Sequence, residues 1–452
     1  MMKIMQNAYT STNHYELNTV NNNNKTLIVF FIFFLIIFIP FTLSPLIPLQ
    51  GFLLSELFPP FLFIFAFAKL LKYGNSPIPI KTFLPVFAII ILIYITIIHY
   101  IFNPVLGSTV LGGQSGIRQY YLIFLGVCIF FYSLWVGRYF ITIGNNFWNK
   151  FLQWLIIACL LLGTLRVFSH FLGFDLPFWG GRFAYTAISV DPGRGGRIGG
   201  LAEVGTVGLA ALLAIYYNKR LDFKFLTLIF IFALFIIISG GRATTVGAIT
   251  SILFFYFFIQ KNFTQITAML VIVLCLFLTA NLFSSVEAQL NRISNLQGGM
   301  EELSSHRYAF QNALWDKFLE KPWIGHGIGP RIHFIGPEGG YLSTNITWGH
   351  GSYTSILAIF GIFGGIYLFL FLFGSAIQMF IFVKRQLKII STINDGIIIL
   401  IFCILNLVIL SVRFIAEGNG FNFLIFFCIV GLGIGIMSKM NHALKYSNLP
   451  DY

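Results

Sequence analysis

The chain has 452 residues, of which 57% are hydrophobic, 18% aromatic and only 10% charged, and its formal net charge is +13. A polypeptide with 54 Phe and so few charges is excluded from the soluble globular class, whose surface needs far more polar residues. The positive charge is no nucleic-acid signature either, because no basic run with interleaved aromatics occurs.

Residues 1–26 form a polar, Asn-rich lead ending Asn21-Asn22-Asn23-Asn24-Lys25, expected to be a disordered cytoplasmic tail. Twelve apolar stretches follow, each near the roughly 20 residues a helix needs to cross a bilayer. They are predicted at 27–43, 51–71, 83–102, 119–136, 151–171, 198–217, 225–239, 243–260, 266–283, 352–383, 397–416 and 421–437. No small-residue cleavage site follows the first run, so it is expected to stay as a helix. The organisation read from this pattern is spans 1–9 within 27–283, a large loop with short helices over 284–350, spans 10–12 within 351–438, and a cytoplasmic tail at 439–452. The fold class is all-α: a polytopic integral membrane protein of about 12 transmembrane helices. All five cysteines (Cys128, Cys159, Cys275, Cys403 and Cys428) fall inside spans, where they act as small apolar fillers and say nothing of redox compartment.

Sorting the cations by alternate loops gives one set of 13 Lys and 3 Arg and another of 10 Arg and 2 Lys. Five members of the second set lie in the long loop, which the positive-inside rule does not count. The short-loop score of 16 against 7 therefore makes the Lys-rich side, with both termini, cytoplasmic. Topology explains an excess of cations on one side but not guanidinium over ammonium on the other. Arg grips phosphate in a bidentate fork, so an anionic ligand on the outer face is the natural reason.

Three outward segments stand apart from plain connectors. The first ends Asp191-Pro192-Gly193-Arg194-Gly195-Gly196-Arg197 ahead of Ile198-Gly199-Gly200-Leu201. Free NH groups and the positive dipole end of the following helix favour an anion there. The second is the turn Ser239-Gly240-Gly241-Arg242. The third is the long loop, with a helix-like stretch at 304–321 and then Pro322-Trp323-Ile324-Gly325-His326-Gly327-Ile328-Gly329-Pro330, long enough to form a small cap over the membrane face.

Plainer readings compete with each of these. Arg118, Arg166 and Arg182 at helix ends can simply reach for headgroups. Arg413 and Glu417, four apart on one helix, can pair. Glu203 is expected about two turns inside its span, where a carboxylate needs a partner; the default is one of the outer Arg residues. His99 and His170, near span ends, read as interfacial filler. His306, His326, His333 and His350 gather in the loop, but no loop Cys and no H-x-x-x-H pair support zinc, so no metal or other cofactor is expected. His350, in Trp348-Gly349-His350-Gly351-Ser352-Tyr353, closes the loop at a helix entry, where a neutral imidazole is placed as a general base needs.

Gly196-Arg197 ahead of a span, the Ser-Gly-Gly-Arg242 turn, Arg307 with Trp315 and the 322–329 motif, and His350 leading into 352–361 together resemble the O-antigen ligase and polymerase superfamily. The resemblance covers about 173–365. Gly351 after the His, and Glu203-Val204-Gly205 in place of an acidic-Pro-Asn cluster, differ from the family pattern. The resemblance implies a glycosyltransferase in a bacterial inner membrane with its active site facing the periplasm. It would act on glycans linked to undecaprenyl diphosphate, by inversion and without metal. Its catalytic residues would be His350, Arg242 and Arg197, with Arg194, Glu203, Arg307 and His326 binding substrate. Partners implied are the lipid-linked glycan, the bilayer, and a chain-length regulator or flippase of the same pathway. Polymerase is favoured over ligase, because one kind of donor and acceptor explains several outer Arg groups. A transporter is the reading from another class, against which stand the absence of an internal repeat and the gathering of charge at one face.

Overall fold

A computed structural model describes residues 58–72, 84–102, 116–139, 147–172, 201–217, 222–239, 242–260, 307–328, 331–335, 341–345, 352–389, 395–416 and 424–447. The described elements begin with four helices: α1 (Phe58–Lys72), α2 (Leu84–Phe102), α3 (Gly116–Tyr139) and α4 (Phe147–Leu172). Next come α5 (Leu201–Ile215), α6 (Phe223–Ile238) and α7 (Arg242–Phe254), the last continuing as a π-helical segment over Phe255–Gln260. Helix α8 (Arg307–Glu320) precedes two strands, β1 (Arg331–Ile335) and β2 (Tyr341–Asn345). Helix α9 (Ser352–Leu368) runs through a second π segment, Phe369–Gly374, into α10 (Ser375–Ile389), followed by α11 (Asp395–Ala416) and α12 (Leu424–Ser447).

Seven stretches of described helix are long and apolar enough to cross a membrane: Leu84–Phe102, Tyr120–Arg138, Phe147–Phe168, Ala243–Gln260, Ser352–Leu387, Asp395–Ile415 and Leu424–Asn441. Pro59–Leu70, Leu201–Ile215 and Phe223–Ile238 are shorter apolar helices. Each lies on a predicted span; the spans predicted at 27–43 and 266–283 fall outside the described residues. In a bilayer these runs are helical because each NH and C=O must find its partner within the segment. The described residues are overwhelmingly helical, as the all-α class expects, with one short hairpin added: β1 and β2 pair antiparallel, Arg331 opposite Asn345 and Ile335 opposite Tyr341.

Two helices organise the interior. Helix α5 is buried along nearly its whole length from Leu201 to Ile215, and it packs on α4, α6 and α11. Helix α11 contacts α4, α5, α7, α9, α10 and α12. The tightest crossing is α3 on α12. There Gly431 and Gly435 sit so close to α3 that a Cβ on either would overlap a main-chain oxygen, of Phe130 and Leu134 respectively. Two glycines four apart let the backbones approach, and dispersion between them replaces the hydrophobic drive that lipid does not supply.

Candidate functional site

At one end of the bundle the polar groups converge. Glu203 lies in the first turn of α5, nearer the helix start than expected, and Arg413 in the last turn of α11. Arg413 Nη2 donates to Glu203 Oε1 at 2.8 Å, and the two side chains are 11% and 15% exposed. Each charge sits at the helix end whose dipole favours it, carboxylate at an N-terminus and guanidinium at a C-terminus. The expected pairing of Glu203 with an outer Arg is thus met by Arg413; Glu417, the other candidate partner of Arg413, lies outside the described residues. The Tyr353 hydroxyl, one residue into α9, donates to the Ser411 carbonyl at 2.8 Å. Gln311 of α8 donates its Nε2 to the Ile415 carbonyl at 3.2 Å. The last turns of α11 thereby hold the first turns of α5, α8 and α9 together.

Helix α7 joins the same end by its register. A Cβ on Gly247 would meet the Ile409 carbonyl oxygen at 2.9 Å, and Ser251 Oγ donates to the Leu405 carbonyl at 3.3 Å. The two helices therefore run antiparallel. Continuing this register to the start of α7 brings the backbone of Arg242 level with Arg413 and Phe414. Across α5, Gly205 lies against Ile236 of α6, which brings the end of that helix, at Ser239, level with Leu201.

Beside this end the 322–327 segment plugs a break in α9. Gly361, with φ of 63° and ψ of −155°, interrupts the helix, so the ordinary bonds from Ile362 and Phe363 back to Ala358 and Ile359 are lost. The loop replaces them. His326 NH donates to Ala358 O at 3.0 Å, Gly327 NH donates to Ile359 O at 2.8 Å, and Ile362 NH donates to Pro322 O at 2.7 Å. Gly325 (φ 69°), Gly327 (φ 80°) and Gly361 (φ 63°) all have left-handed backbone, which L side chains enter only at a cost. Space is equally tight, since a Cβ on Gly325 would overlap Ile359 O and one on Gly361 would overlap Trp323 O.

Two imidazoles hold this junction. His99 of α2 is 1% exposed and donates Nε2–H to the Ile324 carbonyl at 2.6 Å; its ring lies 5.8 Å from that of Phe360. Its Nδ1 has no partner and faces Gly327, where a Cβ would stand 2.9 Å away. His99 is thus buried structure, not interfacial filler. His326 has a side chain only 11% exposed, with Nε2 2.8 Å from the Lys317 carbonyl and 3.4 Å from Glu320 Oε2.

The sequence-predicted residues divide accordingly. Glu203 and His326 are described with their partners. Arg242 opens α7 and Arg307 opens α8, with their backbones alone described. Arg194, Arg197 and His350 lie outside the described residues, although the helices they precede, α5 and α9, start at the convergent end. Sequence reading gives His99 no role here and pairs Arg413 with Glu417 rather than with Glu203. The signals were present: a His inside an apolar run, and an Arg within the last turn of a predicted span. Arg166 is likewise buried rather than extended to the surface. Among the described residues no three His, Cys, Asp or Glu side chains gather as a metal would require.

Residues 227–369 match a family model described as O-antigen ligase, and that match supports the O-antigen ligase and polymerase superfamily. It spans α6 through α9, and so the Arg242 helix start, α8, the 322–327 plug and the broken helix. No curated protein matches the chain significantly.

Proposed function

We propose, from a chain that carries the O-antigen ligase domain over α6 to α9, that this protein is a glycosyltransferase of a bacterial inner membrane. In this reading it polymerises oligosaccharide repeat units carried on undecaprenyl diphosphate, at the periplasmic face. The observation that carries the reading is the gathering at one bundle end of the starts of α5, α7, α8 and α9. Those starts are where the sequence sets Arg194, Arg197, Arg242, Arg307 and His350.

Helix starts present free NH groups and a positive dipole end, which suit a diphosphate. Arg197 and Arg242 bind its two phosphates as bidentate forks. His350 takes the proton from an acceptor hydroxyl, whose oxygen bonds to the anomeric carbon from the side opposite the lipid diphosphate. The anomeric C–O bond breaks, and its electron pair leaves with the diphosphate, where fixed guanidinium groups stabilise the new charge. One displacement inverts the anomeric configuration. Glu203, already bonded to Arg413, keeps the entrance to α5 ordered, while Arg194 and Arg307 contact the donor or acceptor. His326 serves substrate indirectly, by tying α8 to the 322–327 plug. A chain-length regulator or a flippase is the protein partner this role calls for.

The description of the matching family favours a second reading, a ligase that hands the glycan to a lipid A core. Deleting the gene and analysing lipid-linked and surface glycans separates the two. Loss of long chains, with single repeat units left on the surface lipid, supports polymerase. Long chains stranded on undecaprenyl diphosphate support ligase, and unchanged glycans point to transport. In a transfer assay, His350→Ala is expected to lose about 10²- to 10⁴-fold, the worth of a general base. Arg242→Lys, which keeps charge but not the fork, is also expected to lose most activity. Near-normal transfer by either at matched expression places the site elsewhere.

A further inference from the structure

We infer that residues 322–327 are not part of a cap above the membrane but a re-entrant wedge within it, with Trp323 and Ile324 facing lipid. Three independent observations lead there.

The first is depth. The segment is bonded to Ala358, Ile359 and Ile362 of α9. At 1.5 Å per residue the first two lie about 9–10 Å along the helix from Ser352. That helix opens an apolar run, Ser352–Leu387, broken at Gly361 and long enough to cross a membrane, and Ile324 is tied to His99, one turn inside the end of α2 at Phe102.

The second is exposure continuous with lipid-facing surface on both flanks. Trp323 is 67% and Ile324 47% exposed, yet both are pinned between two spans. Ile324 is tied to α2 through His99, and Trp323 meets Gly361 of α9. Near His99 the α2 residues Ile97, Ile101 and Phe102 are exposed, as are Phe363 and Ile366 just past the break in α9. An apolar pair between two lipid-facing surfaces, at their own level, is in lipid as well.

The third is the backbone. Gly325, His326 and Gly327 donate to Lys321, Ala358 and Ile359, while the Pro322 and Ile324 carbonyls accept from Ile362 and His99. Non-helical backbone is tolerated at membrane depth only when protein groups satisfy it.

Helix α8 continues the wedge to the surface. Its outward side divides into an apolar stripe, Trp315 and Leu319, and a polar one, Asn312, Asp316 and Glu320, all exposed. This division suits a helix lying in the headgroup plane, with its Trp at the interface. The partner of the whole surface is the bilayer itself, and the inference stands independently of the transfer chemistry.

Nitroxide labels on Trp323→Cys and Asp316→Cys, in the full chain reconstituted in phospholipid vesicles, test it by their collisions with oxygen and with a water-soluble nickel chelate. The unsubstituted chain serves as the labelling blank. The expected oxygen-to-nickel ratio is several-fold higher at 323 than at 316. Equal nickel access at the two positions overturns the proposal. So does shielding of 323 from both reagents, and spin–spin broadening in that case identifies a second copy as what covers the face. Thermal unfolding matched to the unsubstituted chain guards against a label that has merely disturbed the fold.

Discussion

Glycine is used in opposite ways where α3 crosses α12 and where the 322–327 segment meets α9. At Gly431 and Gly435 the backbone is ordinary helix, and the missing Cβ lets two straight helices touch. At Gly325, Gly327 and Gly361 the backbone is left-handed, and the missing Cβ lets a loop enter a helix. The first contact is mostly apolar, with Ser133 Oγ of α3 donating to Cys428 Sγ of α12 at 3.3 Å, and it fastens the bundle. The second brings polar main chain and two histidines to membrane depth, where the freed backbone groups of the break find partners in the loop and the Ile324 carbonyl finds one in His99. Stability and function in this molecule thus depend on one residue type for unrelated reasons, and substitutions should tell the reasons apart.

Among stability changes the largest expected effect belongs to the charged end. Arg413→Gln strands the Glu203 carboxylate in a mostly buried site and is expected to cost about 3–5 kcal/mol in detergent unfolding. The double variant with Glu203→Gln should recover most of that loss, and a cycle without coupling refutes the pair's importance. Gly361→Ala follows at about 3 kcal/mol, from backbone strain plus overlap with a carbonyl that cannot retreat. His99→Phe keeps the ring but leaves the Ile324 carbonyl bare, for about 2 kcal/mol. Glycine substitutions in the apolar contacts should cost less. Gly431→Ala meets backbone and loses about 1.5 kcal/mol, whereas Gly433→Ala overlaps the flexible end of Met379, with Cys403 Cβ at ordinary contact distance, and loses under about 1 kcal/mol. If Gly431→Ala proves as costly as Gly361→Ala, the distinction between the two uses of glycine fails.

The smallest effect is expected at His326: His326→Gln keeps a donor for the Lys317 carbonyl, so its loss in the same unfolding assay should stay under about 1 kcal/mol.

Hydropathy made the spans legible because lipid burial depends on side-chain composition, which the sequence carries directly. The polar, helix-like stretch read at 304–321 is the helix Arg307–Glu320 in the structure, where Phe310 and Leu314 are buried. The break at Gly361 was not legible, since residues 352–383 read as one apolar run and hydropathy is blind to which carbonyl a given NH finds. The role of His99 was hidden for the same reason, because its partner lies 225 residues along the chain. The hairpin pairing β1 with β2 is not part of the all-α reading, although Gly336-Pro337-Glu338-Gly339-Gly340 between the strands is strong turn chemistry; the residues of β2, Tyr341-Leu342-Ser343-Thr344-Asn345, carry no clear period-2 alternation to mark a strand. Of the candidate site, the helix starts could be read from Gly-Arg turns, but the residue that pairs with Glu203 needed the fold.

The bond between Glu203 and Arg413 also sets an order of events during biosynthesis. Its partners are 210 residues apart, so at about 5–20 residues per second the carboxylate emerges roughly 10–40 s before the guanidinium exists. Until then α5, a short span with an acidic first turn, has no counter-ion from α11 to hold it at depth. Its settled position is therefore a late step, completed when α11 inserts, and a nascent chain stopped short of Arg413 should leave Glu203 open to water.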